Sequence, residues 1–299
     1  QRPVLTLANV AEQWAFSKWL IGKQIAGYLR SQLDTLLVAK FFSPTITGHY
    51  YMARDVAMLP GRFLLGPAIE PLIASFRNEK LKRQALLENV ALSYCVALLI
   101  ASPIAIFVAY FADVVVLTLL GPQWDMAAEY LPSLIFLFFY WVILQVTEQG
   151  LIARGKVSFL FYFDVFSLLF ITCVLLTSLA AQTNILLLIE VRIAAGFFLT
   201  GIAIGILYSN QWKVLYGVLI NLMAFFAISL FSAEVAFKLG GMLGIASAPL
   251  KLLVVGLVFG ATYLPCILLY VIKLSHKDYR GPLIFIFQEA WTTLSAFRR

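Results

Sequence analysis

Apolar residues run through this chain in long uncharged blocks, separated by short charged ones. Six windows stay free of charge between charged flanks: 89–112, 130–147, 165–189, 193–212, 214–233 and 252–272. A helix needs about 20 mainly apolar residues to cross a bilayer, and each window is near that length. Two further stretches, about 17–41 and 48–76, are apolar yet carry Arg30, Asp34, Arg54, Asp55, Arg62 and Glu70. Together they predict an all-α polytopic membrane protein of eight transmembrane helices. The tail follows a different pattern. Ile284, Phe287, Trp291 and Leu294 recur at helical spacing, with Gln288, Glu289, Thr292 and Ser295 opposite, which predicts an interfacial amphipathic helix.

Charge fixes an expected orientation. With the N-terminus inside, the cytoplasmic positions hold Arg2, Lys18 and Lys23, then Arg77, Lys80, Lys82 and Arg83, then Arg154 and Lys156, then Lys213, then Lys273, Lys277, Arg280, Arg298 and Arg299. The opposite side holds Lys40, Lys238 and Lys251. This asymmetry places both ends of the chain in the cytoplasm. The composition agrees with a membrane class: 62% hydrophobic and 12% charged. The excess of 22 basic over 15 acidic residues sits mainly in short loops, so no nucleic-acid partner is expected. Cys95, Cys173 and Cys266 are isolated in apolar runs, and His49 and His276 lie far apart. Neither a disulfide nor a metal site is expected.

The candidate chemistry lies in the two charged stretches. A charge at the middle of a membrane helix costs roughly 2.5–3.5 kcal/mol, so six in two neighbouring segments need partners, water or a charged cargo. Arg30 and Arg62 should fall near the midplane of antiparallel helices. Arg30 and Asp34 are four apart and can pair. Arg54, Met58, Arg62, Gly66 and Glu70 follow at four-residue steps. The stripe reads either as a cationic cavity wall for a phosphate or pyrophosphate, or as internal salt bridges. Glu190 and Arg192 are two apart, so each needs a partner from another helix, and Glu190 is a candidate for proton or sodium coupling. Glu148 and Asp164, near helix ends, are expected to be solvated. Pro60, Pro67 and Pro71 predict a bent or interrupted second helix, as in transporter binding sites.

Three motifs then carry a resemblance. The stretch QLDTLLVAKFFSPTITGHYYMARDVAMLPGRFLLGPAIEPLIASF has Asp34, then Gly48–Tyr50, Ala53, Leu59–Pro60, and Pro67 and Pro71. LLGPQWDMAAEYLPSL has Gly121, Trp124 and Ala127, and QGLIARGKVSF has an Ala-x-Gly-Lys turn. In this order they resemble the second lobe of polysaccharide-transport flippases of the multidrug/oligosaccharidyl-lipid/polysaccharide exporter superfamily, most clearly over about 20–160. The segment AAQTNILLL departs from the family's glycine-rich turn. The resemblance implies a six-helix lobe at 17–209 and two additional helices at 210–274. It also implies a linker at 1–16 from a missing N-terminal lobe and a cytoplasmic tail at 275–299.

The implied activity is translocation of a polyprenyl-pyrophosphate-linked oligosaccharide across the bacterial inner membrane by alternating access, with no enzymatic step and no cofactor beyond a proton or sodium gradient. On that reading Arg30 and Arg62 hold the pyrophosphate, Arg54 assists, Asp34 and Glu70 place the arginines, and Glu190 and Arg192 belong to the cavity. The partners would be the lipid-linked oligosaccharide, membrane lipids, the other lobe and the polysaccharide polymerase machinery. The alternatives are a small-molecule or drug exporter on the same fold, or an integral-membrane polymerase or ligase, which usually needs a long outer loop.

Overall fold

The computed structural model describes residues 10–66, 83–181, 184–209, 211–245 and 247–273. Glu70, Pro67, Pro71, the loop at 77–82 and the expected amphipathic tail lie outside the described residues. The chain orders as α1 (Val10–Phe41), α2 (Pro44–Pro60), a π turn (Gly61–Leu65), α3 (Arg83–Tyr110) and α4 (Ala112–Leu119). A 3-10 turn (Pro122–Trp124) leads to α5 (Asp125–Ala153), α6 (Val157–Ala180), α7 (Ile185–Leu207), α8 (Trp212–Met242) and α9 (Ala248–Lys273). Among the described residues all regular structure is helical.

Among the described residues six helices are long and apolar enough to cross a membrane: 84–110, 122–153, 157–180, 185–207, 212–242 and 248–273. They answer the six uncharged windows, with shifted ends. The window 165–189 straddles the break between α6 and α7, and 193–212 runs past the end of α7. The physical reason is burial. The windows stop at charges, whereas Asp164, Arg192 and Glu148 lie inside helices and are buried there. The two charged stretches are also helical. α1 runs 32 residues, about 48 Å at 1.5 Å per residue.

Local chemistry explains the joints. Ser43 caps α2 by accepting from the Ile46 amide at 3.3 Å, and Pro44 takes the first turn, where no amide is needed. Asn184 caps α7 through the Leu187 amide at 2.8 Å. Gly121 has φ +93°, a left-handed conformation that glycine adopts without strain, and turns the chain from α4 into the 3-10 turn. Trp124 then packs edge-on to His49 at 5.2 Å, and Ala127 is buried. Gly155, φ +70°, makes the tight turn from α5 to α6, where the Lys156 amide bonds to Leu151 O at 3.0 Å. Two of the three sequence motifs are therefore turns that fix where helices meet.

α5 is the central post: it packs against α2, α3, α4 and α7. α1 packs on α6, and α8 packs between α3 and α9. α3 and α5 bury 72% and 67% of their most apolar window, but α8 and α9 only 28% and 22%. The last pair is peripheral and presents a broad apolar face. Buried polar contacts pin it. Tyr270 donates to Asn221 at 2.8 Å, Asn221 reaches the Cys95 sulfur at 3.6 Å, and Tyr263 donates to Leu99 O at 2.8 Å.

Candidate functional site: a charged face on the first helix

Lys23, Arg30 and Asp34 stand at i, i+7 and i+11 on α1. At 100° per residue these positions fall within an arc of about 40°. The face they form meets charged groups from four other helices.

The first cluster joins α1, α5 and α6. Lys23 Nζ lies 2.5 Å from Glu148 Oε2 and 3.9 Å from Asp164 Oδ2. Arg30 lies 3.0 Å from Asp164 Oδ1 and 3.6 Å from Glu148 Oε1. Two cations and two carboxylates thus form a closed square. Glu148 and Asp164 are buried, not solvated as their places near helix ends implied. α1 is what covers them. Gly27 sits directly over Asp164, where an added Cβ would lie 3.7 Å from Oδ2. A water-sized cavity of about 10 Å³ borders Arg30, Tyr140, Gly196 and Thr200.

The second cluster lies about one turn further along α1. Asp34 accepts from Tyr50 Oη at 2.8 Å, and its Oδ2 is 3.5 Å from Arg54 Nε and 3.9 Å from Arg192 Nε. Arg54 also donates to the Ser31 carbonyl. The guanidinium of Arg192 stands over the Tyr140 ring at 5.6 Å, a cation–π arrangement. Gly196 makes that ring position available, since a Cβ there would meet Tyr140 at 2.8 Å. Asp34 and Arg192 are nearly inaccessible, with side chains 3% and 4% exposed.

The expected pairings change accordingly. Arg30 and Asp34 do not pair with each other: Arg30 turns to α5 and α6, and Asp34 turns to α2 and α7. Other helices offer each of them a better-placed partner than its own neighbour one turn away. Arg62 pairs with Asp55 at 2.7 Å, and its side chain is 56% exposed, so it stands apart from the buried clusters. The π turn explains this, because it follows Pro60 and re-aims the residues beyond it. Arg192 does find its partner on another helix. Glu190 is exposed and makes no ion pair among the described residues. Glu70 lies outside the described residues.

The sequence reading missed Lys23, Tyr50 and Tyr140, and it misplaced Glu148 and Asp164. The 23-30-34 spacing was the available signal. Lys23 is also a topology marker, and Tyr140 lies in an aromatic run, 136–141, which hides its polar use. Within that run Phe138 and Phe139 are buried packing residues.

Residues 1–129 match the family model described as "Polysaccharide biosynthesis protein". The chain is 21% identical over 223 residues to the teichuronic acid biosynthesis protein TuaB of Bacillus subtilis, covering 75% of this chain and 44% of that one. It is 25% identical over 172 residues to the lipopolysaccharide biosynthesis protein WzxC of Escherichia coli, covering 57% of this chain and 35% of that one. The chain spans less than half the length of these curated relatives. No solved structure matches it significantly. The motifs, the membrane helices and these likenesses agree: the chain is similar to polysaccharide-biosynthesis proteins, by family model over residues 1–129 and by relatives over a longer span.

Proposed function

We propose that this chain is the second lobe and the following helix pair of a flippase in the bacterial inner membrane. Its cargo is a polyprenyl-pyrophosphate-linked oligosaccharide, moved by alternating access. The observation that supports an anionic cargo is the charge balance of the buried face. The square of Lys23, Arg30, Glu148 and Asp164 is neutral, whereas Arg54 and Arg192 share Asp34 as their one carboxylate among the described residues. A drug exporter for cations would want the opposite balance.

On this reading Arg54 and Arg192 are the guanidiniums nearest the diphosphate, which arginine binds in a bidentate way. Arg62, half exposed at the π turn, guides the headgroup towards them. Arg30, engaged by two carboxylates, holds α1 in place rather than meeting cargo first. In a cell that depends on the complete transporter for surface polysaccharide, Arg62→Ala should lower polysaccharide export several-fold while the protein still reaches the membrane. Unchanged export would remove Arg62 from the path, and unchanged export in Arg54→Gln as well would argue against an anionic cargo altogether.

A further inference from the structure

The second cluster is held more loosely than the first. Its carboxylate serves three donors through one oxygen: Tyr50 at 2.8 Å, Arg54 at 3.5 Å and Arg192 at 3.9 Å. Asp34 Oδ1, Arg54 Nε, and Arg192 Nε and Nη1 are buried without a hydrogen-bond partner. Both Asp164 oxygens of the first cluster also lack a hydrogen-bond partner, but that cluster closes at 2.5 and 3.0 Å with two acids for two bases. A buried donor left without an acceptor is costly. Two guanidiniums with open donors, around one carboxylate that just reaches them, form an anion site filled by too small an anion.

We propose that Asp34 is a resident counter-ion, and that the diphosphate of the cargo replaces it between Arg54 and Arg192. This rests on the anionic-cargo reading and says how the cargo engages. A diphosphate has more charge and more acceptor oxygens than a carboxylate, so it can satisfy both forks at once. The exchange also has a mechanical result. Asp34 carries the charged contacts of α1 to both α2 and α7 in this cluster, beside the Ser31 carbonyl that accepts from Arg54. Once the diphosphate takes its place, α1 loses those ties and stays attached through the Lys23–Arg30 square to α5 and α6. Cargo binding thereby favours a conformation in which the end of α1 near Asp34 has moved, because the cargo binds that state better. The site is closed while Asp34 fills it, which accounts for the 3% and 4% side-chain exposure of Asp34 and Arg192.

The test is a titration of farnesyl pyrophosphate onto the complete transporter in phosphatidylcholine nanodiscs. Asp34→Asn removes the resident charge and keeps the shape, so affinity should rise by about tenfold, the equivalent of ~1.4 kcal/mol. Tyr50→Phe removes one hydroxyl that holds Asp34 in place and should raise affinity by a smaller factor, which covers the case in which Asp34→Asn folds poorly. Excess inorganic pyrophosphate should compete in both. If wild type binds and neither variant binds more tightly, the counter-ion exchange is wrong and the anionic-cargo reading stands. If no protein of the series binds, both fall. If phosphatidylglycerol in the nanodisc abolishes wild-type binding, the site serves ordinary anionic lipids and the exchange is overturned. Failure of inorganic pyrophosphate to compete overturns it too, since the lipid tail would then carry the binding.

Discussion

Buried charge on α1 is tolerated because each charge has a named partner, and the strength of that partnership differs from residue to residue. Asp164 is fully buried against Arg30 and Lys23. Asp164→Asn leaves two cations facing Glu148 alone, and breaking such a buried network costs about 3–5 kcal/mol. Thermal unfolding of the purified protein in detergent should show a large loss of stability. Glu190 is the control. It is exposed and without an ion pair among the described residues, so Glu190→Gln should change stability by less than about 0.5 kcal/mol. Equal losses in the two variants would mean that the square contributes nothing beyond surface charge.

At the scale of the helix, the end of α2 is where the chain departs from regular geometry. Pro60 has no amide to donate, and the next five residues run as a π turn closed by the Gly66 amide on Gly61 O. Gly61 packs against Trp141 and Phe138 there, with an added Cβ only 3.1 and 3.3 Å from their rings. Phe63 and Leu64 point outward, 73% and 58% exposed. Pro60→Ala restores the amide and should return the segment to α-helix, shifting the residues beyond Gly61 by one position, about 100°. Arg62 would then leave Asp55. Labelling of single cysteines at Phe63→Cys and Leu64→Cys should report the rotation as a change in which position reacts faster. An unchanged labelling pattern would show that packing on Trp141, not Pro60, sets the turn.

For the whole molecule, most of the architecture was legible in the sequence, and the pairing within it was not. Uncharged windows found all six strongly apolar helices, because no other environment accepts such blocks. The turns at Gly121 and Gly155 were legible because each needs a residue free to take positive φ. Helix ends were not, because a window stops at any charge. A window cannot know that Asp164 has Arg30 across from it or that Arg192 has Asp34. The same blindness made Arg30–Asp34 look like a pair. Four-residue spacing says that two side chains can meet, but only the arrangement of α2, α5, α6 and α7 around α1 says which partner wins. Tertiary packing thus converted a stripe that looked like a single cavity wall into a neutral square and a cationic cluster.

The central claim is that this cationic cluster meets the diphosphate of a lipid-linked cargo. Its most direct test is translocation in proteoliposomes that hold the complete transporter, with a fluorescent polyprenyl-pyrophosphate-linked sugar as substrate. The account predicts transport by wild type, and a loss of about tenfold or more in Arg54→Gln and in Arg192→Gln, the scale of one charge-assisted contact of roughly 1.5–3 kcal/mol. A polyprenyl-linked sugar without the diphosphate should be moved poorly by all three. Equal transport of the charged and uncharged substrates, or full activity in both arginine variants, would contradict it.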